Sequence, residues 1–253
     1  MTAIAVLLGQ GIDYSASPAI HNAAFAALHL DARYELRDVG VDGLADEVDA
    51  LRAGDRIGAN VTQPHKVAIC DLVDELGPEV RRLGAANTIV RYGGRLVARN
   101  TDIAALRAEL PPGVSRAVVL GAGGASRAAV DALKATGCSA VLVVDRARWA
   151  NLPGALATAD LLVNATPIGT GTDETPVPAE LLRPEMSVLD LVYRPSPTRL
   201  VREARAAGAR ARGGAGMLLR QAALSFSLWT DREAPVDIMR EAMRRELGPA
   251  ADG

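Results

Sequence analysis

Short apolar runs alternate along the chain with stretches whose apolar residues recur every three to four positions, the pattern of strand and helix units laid on a mainly parallel sheet. In the first half, Ile4 to Leu8, Tyr34 to Val39 and Ile57 to Val61 read as strands, and Thr88 to Tyr92 with Arg95 to Arg99 reads as a hairpin around Gly93-Gly94. Between the first two strands, Ser17-Pro18 supplies an N-cap and first-turn pair, after which Ile20, Ala24, Ala27 and Leu28 share one helical face. A helical stretch opens at Asp102 and runs to Leu110, where Pro111-Pro112-Gly113 breaks the chain. Beyond the break the strands are Ala117 to Leu120, Ala140 to Val144, Leu161 to Asn164 and Ser187 to Leu191. A helix covers Gly124 to Thr136, and two more, Met217 to Trp229 and Pro235 to Glu246, close the chain ahead of a tail, Pro249 to Gly253, expected to be mobile.

The pattern predicts an α/β protein of two domains. A length of 253 residues agrees, since single cores rarely grow far beyond roughly 250 residues. The first domain spans 1–102 and is completed by the C-terminal helices, about 231–253; the second, 103–230, is a Rossmann-type, doubly wound dinucleotide-binding domain. With 49% hydrophobic residues and 28 Lys+Arg against 30 Asp+Glu, the chain has neither a disordered composition nor the basic excess that nucleic-acid binding demands, and small molecules are the expected partners. Its longest uncharged run, Tyr14 to Leu30, contains Ser15, Ser17, Pro18 and Asn22, which suit no bilayer core; no membrane association and a cytoplasmic location are expected. Cys70 and Cys138 build no disulfide framework, and three histidines without ligand spacing give no metal signal.

The chemistry begins where Val118-Val119-Leu120 runs into Gly121-Ala122-Gly123-Gly124-Ala125-Ser126 and then into a helix, with Asp145 ending the next strand about 20 residues on. Glycine allows the tight turn and close approach of backbone to a pyrophosphate, while the unpaired N–H groups and positive dipole of the helix start receive the anion. Gly121, Ala122, Gly123, Gly124 and Ala125 are therefore the candidate coenzyme contacts. Asp145 suits a ribose 2′-hydroxyl and would repel a 2′-phosphate, which favours NAD; Arg146 and Arg148 argue for NADP unless they are solvated strand-end charges. NAD is the first expectation and NADP the alternative.

Four polar clusters sit at the ends of elements in the first half: Tyr14-Ser15-Ala16-Ser17-Pro18, Asn60-Val61-Thr62-Gln63-Pro64-His65-Lys66, Gly84-Ala85-Ala86-Asn87-Thr88 and Asn100-Thr101-Asp102. The last third carries Asn164-Ala165-Thr166-Pro167-Ile168-Gly169, Asp190-Leu191-Val192-Tyr193-Arg194-Pro195 and a run from Gly213 through Met217 to Gln221. In this order, over nearly the whole chain, these motifs resemble the shikimate dehydrogenase and quinate/shikimate dehydrogenase family. The resemblance implies reversible reduction of 3-dehydroshikimate to shikimate, with quinate or an amino analogue as near alternatives, and a ligand held in the cleft between the domains.

The resemblance also implies roles. Lys66 matches the family's catalytic lysine and Asp102 its acidic partner; an alcohol losing hydride must also lose its hydroxyl proton, and a lysine can take it or, as ammonium, return it. Alternatively Lys66 is a solvated first-turn residue and Asp102 a helix N-cap. Ser15 and Ser17 match the hydroxyls that bind the substrate carboxylate, although Ser17 also suits a cap. Asn60, Thr62, Asn87, Tyr193 and Gln221 match positions around the ring, with turn or surface roles open for Asn60, Asn87 and Gln221. Leu191 and Gly214 match positions near the nicotinamide. His65 reads as packing or substrate-edge contact, and ligation by His21 and His29 is not expected.

The chain departs from the family after Asp145, where the segment Trp149 to Ala159 has room for a short helix but not for the further helix and strand usual in relatives. Asp-Arg-Ala at 145–147 stands where NADP-dependent members commonly show Asn-Arg-Thr, and Tyr14 stands where His often precedes the first serine. Rival readings are a non-catalytic shikimate or quinate sensor, against which both Lys66 and Asp102 speak, and a folate-oxidising dehydrogenase, whose Tyr-x-x-x-Lys pattern is lost at Thr62. Monomer and homodimer both fit.

Overall fold

The computed structural model describes residues 2–249; residues 250–253, most of the expected tail, lie outside them. The described residues divide into two compact units, 2–102 with Leu219–Glu246, and Ile103–Leu218 with 247–249. The return to the first unit falls inside a long helix, earlier than the expected position near 231.

In the first unit the strands are β1 (Ala3–Gly9), β2 (Ala32–Asp38), β3 (Gly58–Val61), β4 (Glu75–Leu76), β5 (Thr88–Tyr92) and β6 (Arg95–Arg99), and the helices are α1 (Ser17–Ala27), α2 (Leu44–Ala53) and α3 (Pro78–Leu83). They build one sheet ordered β2-β1-β3-β5-β6-β4, in which β1 pairs in parallel with both β2 and β3. The β5-β6 hairpin is antiparallel and turns at Gly93 and Gly94, both at positive φ (+57° and +82°), as a two-residue hairpin requires. One apolar cluster takes Val6, Leu8, Val48, Leu51, Ile69, Ile89 and Leu96 out of water, each fully buried aliphatic side chain contributing about 1.5–3 kcal/mol.

The chain enters the second unit one residue into α4 (Asp102–Glu109) and continues through β7 (Arg116–Leu120), α5 (Gly124–Ala135), β8 (Ala140–Val144), α6 (Leu152–Leu156), β9 (Leu161–Asn164), β10 (Ser187–Asp190), α7 (Arg199–Ala206) and β11 (Arg210–Arg212). All its strand pairs are parallel, in the order β11-β10-β9-β7-β8. The chain thus winds outward from β7 to β8, then crosses back to β9 and proceeds the other way, the doubly wound pattern expected. Between β8 and β9 there is only a 3-10 turn, Arg146–Asn151, leading into α6, so β8 is the edge of the sheet and Leu142 on it is 44% exposed. Two helices, α8 (Ala215–Thr230) and α9 (Val236–Leu247), end the described chain. No helix among the described residues is long and apolar enough to cross a membrane.

Candidate active site

In the first unit the winding direction reverses between β1 and β3, and parallel sheets leave a crevice for ligands beyond the carboxyl ends of strands at such a point. The loops that follow these two strands carry Ser15 and Ser17, and Thr62, His65 and Lys66. They are tied together by Thr62 N–H donating to the Leu8 carbonyl (2.9 Å) and Gln10 N–H to the Gln63 carbonyl (3.1 Å). Gly9 makes the approach possible: a Cβ there would stand 2.5 Å from the Thr62 methyl and 2.6 Å from that of Ile12. His65 is buried and its Nε2 lies 2.7 Å from the Val39 carbonyl, pinning the second loop to the end of β2, a packing role.

Ser17 is the first residue of α1 and Pro18 the second, not the cap and first residue expected; the cap position is Ala16, with helical backbone (φ −82°, ψ −4°) and no side-chain capping bond. The Ser17 hydroxyl is therefore not engaged as a cap. Its N–H donates to the Ser15 hydroxyl at 3.2 Å, which sets the two serines side by side at the helix start.

Lys66 and Asp102 meet. The ammonium donates to Asp102 Oδ2 at 2.7 Å, with side-chain exposures of 17% and 4%. Asn87 Nδ2 donates to the other oxygen, Oδ1, also at 2.7 Å, and to the Thr101 hydroxyl at 2.9 Å. Asn87 Oδ1 accepts from Thr101 N–H (2.8 Å), and because a backbone N–H can only donate, the amide orientation is fixed with its NH2 facing the carboxylate. Asp102 begins α4, but both carboxylate oxygens are held by these side chains. Asn100 Oδ1 receives the Asp102 N–H (3.1 Å) while its NH2 donates to the Ala85 carbonyl (3.0 Å), joining the two loops that carry Asn87 and Asp102.

Asn60 departs from its expected place beside a ligand. It is 4% exposed, its Oδ1 accepts from the Tyr34 hydroxyl (2.9 Å), and its NH2 faces the Asn87 carbonyl (3.2 Å), Thr88 Oγ1 (3.1 Å) and Ser225 Oγ (2.9 Å). With the amide closed in this way, its reach is to the neighbours of Asn87, not to the crevice. Gln221 is half-buried on α8, one turn before Ser225 and on the same face. Tyr193 is half-buried after β10 and belongs to the second unit.

In the second unit the reversal lies between β7 and β9. Gly121 follows β7 at φ +103°, and a Cβ there would stand 3.0 Å from the Ala165 carbonyl oxygen, which leaves glycine as the residue that fits. Gly123 occupies the cap position of α5 in extended conformation with no side-chain cap bond, and nothing lies within 4 Å of where its Cβ would be. Gly121, Ala122, Gly123, Gly124 and Ala125 thus form an uncapped, open helix start that fits an anionic group approaching its backbone. At the end of β8, Asp145 caps the following 3-10 turn, Oδ1 accepting from Arg148 N–H at 3.1 Å, with Arg146 and Arg148 exposed beside it. Leu191 and Gly214 come together: a Cβ on Gly214 would stand 2.3 Å from the Leu191 carbonyl oxygen.

The carboxyl ends of β9 and β10 are locked by a buried polar triad. Asp190 Oδ1 accepts from Asn164 Nδ2 (2.8 Å) and Val192 N–H (3.0 Å), and Oδ2 from the Thr198 hydroxyl (2.7 Å). Burial pushes the Asp190 carboxyl up to about 6, against the pull of these three donors. Asn164, Asp190, Thr88 and Thr101 stand in the motifs read from sequence but received no role there, and Thr198 and Ser225 lie outside those motifs. The one signal for Ser225 is a small polar residue in an otherwise buried register, beside Phe226 on α8.

Two profiles of known families match the chain, and both fall mainly on the first unit. The profile of the shikimate dehydrogenase substrate binding domain matches residues 7–89, and that of the shikimate 5′-dehydrogenase C-terminal domain matches 214–244. The chain is 39% identical to the shikimate dehydrogenase (NADP(+)) of Moorella thermoacetica, with all of this chain and 96% of that protein covered. The aligned span is 283 positions against a chain of 253 residues, so that relative carries residues this chain lacks. Among solved structures, the shikimate 5-dehydrogenase of Thermus thermophilus in complex with NADP(H) and shikimate superposes with a TM-score of 0.86 at 38% identity, covering 97% of this chain and 100% of that one. The quinate dehydrogenase of Corynebacterium glutamicum in complex with NAD gives 0.85 at 29% identity, covering 96% and 99%.

Proposed function

Because the chain belongs to the shikimate dehydrogenase family, we propose that it catalyses the reversible reduction of 3-dehydroshikimate to shikimate with a nicotinamide dinucleotide. The observation that carries this reading is the Lys66 ammonium 2.7 Å from an Asp102 carboxylate whose second oxygen is held by Asn87. A reduced nicotinamide, when bound, supplies the hydride that turns the ring ketone into a secondary alcohol. Lys66 gives its proton to the ketone oxygen as negative charge develops there, and in the oxidising direction the neutral amine takes the hydroxyl proton back. Asp102 keeps Lys66 directed at that oxygen, and Asn87 keeps Asp102 in place. A non-catalytic sensor has no need of such a pair.

In this reading the first unit holds the ring. Ser15 and Ser17 receive its carboxylate at the start of α1, where the helix dipole favours an anion. Thr62 and Gln221 receive ring hydroxyls, and Asn60 serves by anchoring Asn87 and Thr88. The second unit holds the coenzyme, with the pyrophosphate on Gly121 to Ala125 and the nicotinamide near Leu191 and Gly214. NADP is favoured over NAD: the Asp145 carboxylate already caps a turn, the exposed Arg146 and Arg148 can face a 2′-phosphate, and the Moorella relative is named for NADP(+).

The test is initial-rate absorbance of the reduced nicotinamide with shikimate, quinate and aminoshikimate, each with NAD and NADP. Shikimate with NADP is expected to give the highest kcat/KM, and Lys66→Ala to lower kcat by about 10²–10⁴-fold, the range for a lost general acid–base group. Silence in all six pairs, from folded protein that still binds shikimate, would favour the sensor.

A further inference from the structure

The buried polar network behind Asp102 does not end at Asn87. It runs on through Thr88 to one hydroxyl on α8, that of Ser225, which is wholly buried. Ser225 Oγ lies 2.9 Å from Asn60 Nδ2, 2.9 Å from Thr88 Oγ1 and 3.4 Å from Thr101 Oγ1. Its partners are remote in sequence, 165, 137 and 124 residues away, and it gathers three of the loops and strands that form the rear wall of the Lys66 and Asp102 pair.

Counting protons gives the network a direction. Asn60 Nδ2 faces the Asn87 carbonyl, which can only accept, so Asn60 presents its NH2 to Ser225 and Ser225 accepts. Thr88 has one hydroxyl proton, and Asn87 Oδ1, 3.0 Å away, is an acceptor for it. The 2.9 Å contact between Thr88 and Ser225 is then filled by the serine's proton. Read in order, Ser225 donates to Thr88, Thr88 to Asn87 Oδ1, and the NH2 of the same amide to Asp102 Oδ1, with Lys66 on Oδ2. Removing the first takes away both an acceptor of Asn60 and the donor to Thr88; Asn60 Nδ2, 3.1 Å from Thr88 Oγ1, is then the donor left to Thr88, and turning its proton there shifts the buried side chains of the network.

We propose that Ser225 is a positioning residue for the reaction: its hydroxyl, through Thr88 and Asn87, fixes the orientation of Asp102 and so of Lys66. Helix α8 thereby contributes to proton transfer without touching the reacting atoms, while Gln221, one turn earlier, remains the residue of α8 assigned to the ring. This inference rests on Lys66 and Asp102 being the catalytic pair, which wild-type turnover and Lys66→Ala examine separately.

The experiment is Ser225→Ala in the full chain, with kcat and KM measured for shikimate and NADP, repeated on an Asp102→Asn background. A displaced proton donor costs turnover more than affinity, so kcat is expected to fall by about 10- to 100-fold with both KM values within about twofold of wild type. On the Asp102→Asn background Ser225→Ala should cost little more, since the route it acts through is already cut. Ser225→Thr, which returns the hydroxyl, should recover part of the rate. A readout free of turnover is the ¹³C resonance of the Asp102 carboxyl, which Ser225→Ala should shift while leaving that of Asp160 unmoved. If Ser225→Ala does not fold, Ser225→Cys retains the volume with a weak hydrogen-bonding group and is read in the same way. An unchanged kcat with an unmoved Asp102 resonance, or equal losses on both backgrounds, would overturn the proposal. A shifted resonance in a protein that turns over none of the substrates would leave the positioning intact and overturn the catalytic reading instead.

Discussion

His21 is enclosed by Tyr34, on which its ring stacks with centroids 4.3 Å apart and planes 8° apart, and by Trp229 at 5.3 Å. Neither ring nitrogen meets a hydrogen-bond partner among the described residues, and burial holds its pKa down to about 3 from an ordinary 6.5. An unfolded chain therefore takes up a proton near pH 6.5 that the folded chain refuses until about pH 3. More protons bind to the unfolded state across that window, so this residue makes stability fall as the pH drops, by up to about 1.4 kcal/mol per pH unit. His21→Phe keeps a ring in the stack with nothing to protonate. Urea denaturation between pH 3.5 and 6.5 is expected to show a flatter acid limb for the variant, and parallel curves would refute the assignment. Sequence alone had set His21 aside as a ligand but gave no sign of this burial, because the enclosing Tyr34 and Trp229 come from β2 and α8.

The triad at the ends of β9 and β10 works in the opposite sense. With its carboxyl raised to about 6 by burial, Asp190 holds a proton in the folded chain that the unfolded chain releases near 3.8, so its contribution to stability is lost as the pH rises from about 4 to 6. Asp190→Asn preserves the shape: its carbonyl can accept from Asn164 and Val192 while its NH2 donates to Thr198. The variant should therefore match or exceed wild-type stability at pH 8, as read by thermal unfolding at pH 5 and pH 8; a large loss at pH 8 that is absent at pH 5 would mean that the charge itself is needed. These locked strand ends were legible as strands, since Leu161 to Val163 and Val188-Leu189 are the apolar runs of a sheet covered on both faces. β11 was not, because Arg210-Ala211-Arg212 is a three-residue edge strand with one inward alanine. Ser17 before proline matched the statistics of a cap, yet the turn closes one residue earlier at Ala16. Asn60 reads locally as a strand-end polar residue facing a ligand, and only partners 26 to 165 positions away reveal that its amide is enclosed.

Two sheets, each with its own reversal of winding, give each unit its own set of strand ends where a ligand can bind, and the proposed reaction assigns one ligand to each. The glycine motif was legible because its residue type is constrained by backbone geometry, Gly121 standing where a Cβ would strike the next loop; Gly9 stands under the same constraint but carries no motif in the sequence. Such a division predicts that the two ligands fail independently. In the proposed reading Ser17→Ala removes a neutral donor to the ring carboxylate, a charge-assisted bond worth about 1.5–3 kcal/mol, and should raise KM for shikimate by about 10- to 100-fold with KM for NADP unchanged. Gly121→Ala forces a side chain to φ +103° with its Cβ 3.0 Å from the Ala165 carbonyl oxygen, a strain of about 1–3 kcal/mol that the turn can relieve by retreating from the pyrophosphate. KM for NADP should then rise about tenfold or more, while calorimetric titration with shikimate in the absence of coenzyme gives the wild-type Kd. Either variant shifting both constants equally would mean that substrate and coenzyme are not held by separate units, and the assignment of each motif to its own ligand would fall with it.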